Sequence, residues 1–210
     1  TSMSPSRPSS PTCGRRTRTA DAPSDPAPGA CEGGGALLKL RTAVAADFHA
    51  IHALNEESVA ALSPLTLERL SRLHAQAARH RVVVDDAAVV AFVLALRESA
   101  DYDSPNFQWF VARYDRFLYV DRVVVSTNAC GRGAGTLLYR DLFEFAAVSS
   151  VDLITCEYDL DPPNLRSRKF HAKFGFSEVG RQRVTGGRKQ VSLQAVRVPV
   201  NAGRGGSVPK

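Results

Sequence analysis

From Val123 to Ala147 the chain passes from a β-branched run (Val123-Val124-Val125) through a glycine loop (Cys130-Gly-Arg-Gly-Ala-Gly135-Thr136) into an apolar-periodic segment. Few structures accept that order: a strand, a tight turn, and a helix that begins at the glycines. Leu138, Leu142 and Phe145, spaced by four and three, put one apolar face on the stretch Thr136 to Val148, which predicts a helix there. Glycine opens backbone conformations closed to other residues, so successive N–H groups can converge where a helix presents its positive end. The loop predicts a ligand that carries phosphate.

Three glycine loops compete for this position. The triphosphate-binding loop needs Gly-Lys-Ser/Thr, and the chain has no Gly-Lys pair. The dinucleotide fingerprint Gly-x-Gly-x-x-Gly is nearer, with Glu157 closing a later strand as the ribose-binding acid would. Against it, Thr136 stands where the third glycine belongs, and Ser126 to Cys130 separate the strand from Gly131. The third loop is Arg/Gln-x-x-Gly-x-Gly/Ala after a strand and a short turn, and Cys130-Gly131-Arg132-Gly133-Ala134-Gly135 resembles it, with Cys130 in the Arg/Gln position. That motif marks the GNAT superfamily of acetyl-CoA-dependent N-acetyltransferases. A second block, Asn164-Leu-Arg-Ser-Arg-Lys-Phe170-His171-Ala-Lys-Phe-Gly175-Phe176, resembles the family's Asn-x-x-Ala-x-x-Leu/Phe-Tyr-x-x-x-Gly-Phe.

The resemblance implies a mixed α/β (α+β) fold over residues 36 to 200: a mostly antiparallel sheet of six to seven strands, splayed between the fourth and fifth, with helices on both faces. It implies acetyl-CoA as co-substrate, with no metal. The cofactor would lie along Val123, Val124 and Val125, over Cys130, Gly131, Arg132, Gly133, Ala134, Gly135 and Thr136, and beside Asn164. Cys130 removes one side-chain donor near the pyrophosphate, which Arg132 is placed to replace. Asparagine is also a good helix cap, so Asn164 has a structural role to fill as well. His171 falls where the family usually has a tyrosine that protonates the departing thiolate, and protonated imidazole is the stronger acid. Between Phe170 and Phe174 it would equally be a packed core histidine.

An amine acceptor must lose a proton before or during attack, and a strand carboxylate commonly takes it. Asp121 and Glu157, on the two strands expected to splay, are the candidates, though either could be an ion-paired strand residue. Asp121 shares strand parity with Tyr119, Val123 and Val125. A backbone N–H between Val123 and Val125 is the expected oxyanion donor. Seven of the sixteen aromatic residues fall between Tyr102 and Tyr119. This stretch predicts an aromatic wall, with Trp109 and Tyr119 against the acceptor and Asn55 and Ser58 of the first helix as further contacts; its alternative is a plug in the core. The acceptor is an amine, small molecule or protein lysine. A non-catalytic acyl-CoA-binding module and a dinucleotide-binding protein are the alternatives.

Composition narrows the setting. Residues 1–35 are rich in Pro, Ser, Gly, Ala and Arg with few large apolar side chains, so the expectation is a disordered extension, with 201–210 a flexible tail. Asp21, Asp25, Glu32 and the prolines argue against a targeting peptide, and Thr1-Ser2 ahead of Met3 reads as a cloning remnant. Four arginines against three acids in 1–35, with Arg204 and Lys210 in the tail, leave +3 of the net +6 to the domain. An anionic cofactor accounts for that excess, and no nucleic acid is expected. The four cysteines form no Cys-x-x-Cys pair and no apolar run reaches a membrane span. The expectation is a reduced, cytoplasmic protein, monomeric or homodimeric, away from membranes.

Read for elements, Leu37–Arg41 is a strand and Ala45–Ala61 a helix. Thr66 caps a second helix through Ala78, and Arg81–Val84 with Ala88–Leu96 form a hairpin around Asp85-Asp86. Strands follow at Phe117–Val125 and Leu153–Tyr158, flanking the loop helix. A helix at Leu165–Phe174 precedes two strands, Glu178–Val184 and Gln190–Val198, joined at Gly186-Gly187.

Overall fold

The computed structural model describes residues 37–58 and 64–199. The expectations for 1–35 and 201–210, and for the last turn of the first helix, lie outside the described residues. Among the described residues seven strands, β1 (Lys39–Thr42), β2 (Arg79–Asp85), β3 (Ala88–Arg97), β4 (Leu118–Val125), β5 (Leu153–Asp161), β6 (Ser177–Val184) and β7 (Lys189–Arg197), form one sheet in the order β1-β2-β3-β4-β5-β7-β6. Every pair is antiparallel except β4 with β5.

The helices are α1 (Phe48–Glu57), α2 (Leu67–Gln76), α3 (Pro105–Val111), α4 (Ala134–Val148) and α5 (Leu165–Lys173). Ile51, Leu70, Phe107 and Phe110 from α1 to α3 build the core on one face of the sheet. On the other, Leu138, Tyr139, Leu142 and Ala146 of α4 pack on Val83, Val93 and Ile154. Their spacing of three and four is the apolar stripe expected of the loop helix. That helix starts at Ala134, two residues earlier than predicted, because Gly133 at φ +90° is its N-cap.

Three local features matter for the site, and the second is the expected splay. The aromatic stretch holds a helix, α3, entered by Pro105 at its first position, where the fixed φ suits a helix start. The parallel pairing of β4 with β5 covers only Leu118↔Ile154 and Tyr119↔Thr155, so the two strands part from Val120 onward. A bulge in β4 follows, since Leu94 pairs with Arg122 and Ala95 with Val120, leaving Asp121 as the extra residue. The bulge changes the parity: Tyr119, Asp121 and Arg122 reach toward α1 and α3, whereas Val123 and Val125 pack on the α4 face.

Candidate active site

At the end of β4 the Ser126 N–H donates to Val90 O of β3 at 2.8 Å. Strand alternation then turns the N–H groups of Val123 and Val125 the other way, into the gap that β5 has left. Val124 sends its amide back toward β3, which removes it from the expected oxyanion donors. Beyond Ser126, Gly131 and Gly133 hold φ of +81° and +90°, and among the described residues no side chain caps α4. The N–H groups of Ala134, Gly135 and Thr136 have no intrahelical acceptor and point out of the helix, an open anion cradle. Gly135 has a different reason to be glycine: a Cβ there would lie 3.1 Å from the Phe170 ring of α5.

Arg132, expected to replace the donor missing at Cys130, is engaged elsewhere. It is ion-paired with Asp85 at the end of β2. Arg166, from the first turn of α5, instead donates to Cys130 Sγ, which itself contacts Ser126 O at 3.1 Å. Sequence spacing could not reveal this cation, because α5 meets the loop only in the fold. Asn164 caps α5, accepting from Ser167 N at 3.0 Å.

On the opposite face, Glu157 of β5 lies half-buried beside the parted strands. The Tyr119 hydroxyl donates to its carboxylate, 2.9 and 2.8 Å from the two oxygens, and Asn106 Nδ2 donates to Oε1 at 2.9 Å. Burial pushes the Glu157 carboxyl up to about 7, against the two donors that favour its ionised form, with Asp121 and Asp159 adding repulsion. Its proton affinity therefore lies near neutral pH.

Asp121, the other candidate base, is committed. Its Oδ2 is 2.6 Å from Arg122 Nε and its Oδ1 accepts from Tyr102 at 2.5 Å, with the side chain 3% exposed. Arg122 Nη1 also donates to Asn55 Oδ1 at 2.8 Å, and Asn55 is fully buried. Tyr119 is fully buried as well. Asn55 and Tyr119 thus lie inside the wall, bonded to Arg122 and Glu157. Trp109 covers Gly180 of β6, where a Cβ would sit 2.5 Å from its ring, and the Arg113 guanidinium lies 3.9 Å from the ring centroid. Ser58 closes α1 beside the undescribed residues.

Of the two readings of His171, the geometry matches the packed core histidine. It is 3% exposed, with Nδ1 2.8 Å from Ser167 O and Nε2 2.6 Å from the Tyr139 hydroxyl. A carbonyl can only accept, so Nδ1 carries the hydrogen and Nε2 accepts from Tyr139. Burial lowers the His171 pKa from its ordinary value. Both ring nitrogens are thus engaged inside the protein, the arrangement of a packed core histidine.

Residues 45–176 match the model of the acetyltransferase (GNAT) family. The chain belongs to that family. A 64-residue stretch is 42% identical to phosphinothricin N-acetyltransferase of Streptomyces coelicolor, covering 30% of this chain and 36% of that enzyme, so the match spans about a third of the curated relative. The ribosomal-protein-S18-alanine N-acetyltransferase of Escherichia coli shares the fold at TM-score 0.60 and 14% identity, over 80% of this chain and 98% of that one. Arabidopsis thaliana NAA60, solved with a bisubstrate analogue, superposes at 0.63 with 12% identity over 78% and 99%. The yncA protein of Salmonella typhimurium, solved with its cofactor acetyl-CoA, gives 0.60 and 18% over 79% and 96%. The GNAT sheet with its parted β4 and β5 thus stands, and in this GNAT chain Arg166 of α5 donates to Cys130 at the loop.

Proposed function

We propose that this GNAT protein transfers the acetyl group of acetyl-CoA to an amine nitrogen by direct attack within a ternary complex. The observation that carries the reading is the Glu157 carboxylate, held by Tyr119 and Asn106 at the gap between β4 and β5, with a proton affinity poised near neutrality. Acetyl-CoA supplies a thioester, whose carbonyl accepts the nucleophile.

The open first turn of α4 fits the phosphates, through the amides of Gly131, Gly133, Ala134, Gly135 and Thr136, with Arg166 adding charge beside Cys130. The N–H groups of Val123 and Val125 meet the thioester oxygen and stabilise charge that develops there. Asn164 lies beside the pantetheine arm while it caps α5. Glu157 takes the ammonium proton of the acceptor, directly or through water. Thiols ionise at about 8.5, so a thiolate leaves readily near neutrality and water can protonate it. His171 is then a buried support for Tyr139 and α5. Trp109 and Ser58 border the acceptor.

A panel of primary amines, beginning with small amino-acid-like compounds because of the likeness to phosphinothricin N-acetyltransferase, tests the reading. Release of free CoA thiol should occur with at least one member. Saturable acetyl-CoA binding without turnover on small amines or lysine peptides would overturn it in favour of a non-catalytic acyl-CoA-binding module.

A further inference from the structure

We propose that Asn106 and Gln182 form a clamp that orients the Glu157 carboxylate, which makes Asn106 a positioning residue for proton removal. The inference rests on Glu157 being the proton acceptor. Asn106 is the second residue of α3 and only 8% exposed, an unusual place for an amide unless both of its ends are bonded. Both are. Its Nδ2 donates to Glu157 Oε1 at 2.9 Å, and its Oδ1 accepts from Gln182 Nε2 of β6 at 3.1 Å.

Gln182 fixes which way the Asn106 amide faces. A flipped Asn106 would aim Oδ1 at the carboxylate, acceptor against acceptor, and lose the Gln182 donor at the same time. Tyr119 lies within hydrogen-bond distance of both Glu157 oxygens and so does not distinguish them, whereas Asn106 reaches Oε1 alone. Oε2 is therefore the less occupied oxygen and the one that takes the proton. A donor to a carboxylate also favours the ionised form.

Besides Asn106 of α3, the groups that act on the Glu157 carboxylate are Tyr119 and Asp121 of β4 and Asp159 of β5, while Cys156 of β5 and Tyr139 of α4 lie across the sheet. Arg122 is paired with Asp121 and Lys189 with Asp159, which limits the repulsion those two acids exert. Asn106 is thus the neutral donor whose removal changes the balance without introducing a charge.

The test is the pH profile of kcat/KM in Asn106→Leu and Gln182→Leu, together with the titration of the Glu157 carboxyl carbon by NMR. Asn106→Leu should move the acid limb upward by about one pH unit, a loss of about tenfold on that limb that fades at alkaline pH. Gln182→Leu should move it the same way by less, and Gln182, half-buried on an edge strand, is replaceable even if Asn106→Leu does not fold. A drop equal at every pH, with the limb and the carboxyl titration unmoved, would overturn the clamp. Should the wild-type acid limb survive in Glu157→Gln, the assignment of the base would fail instead, so the two failures are distinguishable.

Discussion

The Tyr139 hydroxyl lies 2.6 Å from Nε2 of His171 and donates to it, because the Ser167 carbonyl already holds the ring hydrogen at Nδ1. With Ser167 O accepting at Nδ1, the ring is a neutral spacer between α4 and α5, set among Tyr139, Phe170 and Phe176. His171→Phe keeps the ring volume and leaves the Tyr139 hydroxyl buried without its acceptor. Stability should fall by about 1–3 kcal/mol in urea unfolding. The rate of acetyl transfer should stay within about threefold of wild type, since loss of a general acid would cost about a hundredfold or more.

Gly133 carries φ +90° at the N-cap of α4. An alanine there is strained by about 1–2 kcal/mol or turns the loop to escape the strain, and either outcome misaims the amides of the first turn. Calorimetry should find acetyl-CoA affinity in Gly133→Ala reduced about tenfold. At Gly135 the cause differs, because its Cβ would push on Phe170. Gly135→Val should therefore lower the melting temperature as well as the affinity.

Arg166 is exposed, yet its guanidinium reaches the glycine loop at Cys130. Arg166→Ala should weaken acetyl-CoA by about fivefold and leave acetyl-pantetheine, which lacks the phosphates, unaffected. Adding Cys130→Arg should restore the affinity by returning a cation to the loop. Arg132→Ala removes a partly exposed pair with Asp85 and should change little.

His80 is 5% exposed, with Nδ1 2.8 Å from His74 Nδ1, and burial together with His74 holds its pKa down at about 4. The unfolded chain takes that proton near 6.5, so between these values the unfolded state binds more protons than the folded one. Stability is unaffected by this group above about pH 6.5 and falls as the pH drops toward 4. Between about pH 7.5 and pH 5 the loss should be about 2 kcal/mol in urea unfolding. His80→Phe should flatten that slope.

The glycine loop, its helix and most strand boundaries were legible because periodicity and turn residues are local signals. Gly186-Gly187 placed the last hairpin, and Thr66 caps α2 by accepting from Arg69 N as its residue type suggests. The bulge at Asp121 has no such signal, since nothing in Tyr-Val-Asp-Arg-Val marks the residue that drops out of register. That single slip turned a presumed base into an ion-paired partner of Arg122. The pairings of Asn106 with Glu157 and of Arg166 with Cys130 join residues 51 and 36 positions apart, and tertiary proximity of that kind leaves no trace in spacing. His171 was read from its motif position, whereas its environment is set by Tyr139, 32 residues away.

The most direct test of the account is the pH dependence of kcat/KM in wild type and Glu157→Gln with a productive amine. Burial raises the Glu157 pKa to about 7, so activity carried by its ionised form should fall as the pH drops below that value. Glutamine keeps the shape and cannot take a proton. Wild type should show an acid limb near pH 7, lost in Glu157→Gln together with about a hundredfold or more of the rate. A Glu157→Gln enzyme that retains both the limb and the rate would contradict the assignment of Glu157 as the base.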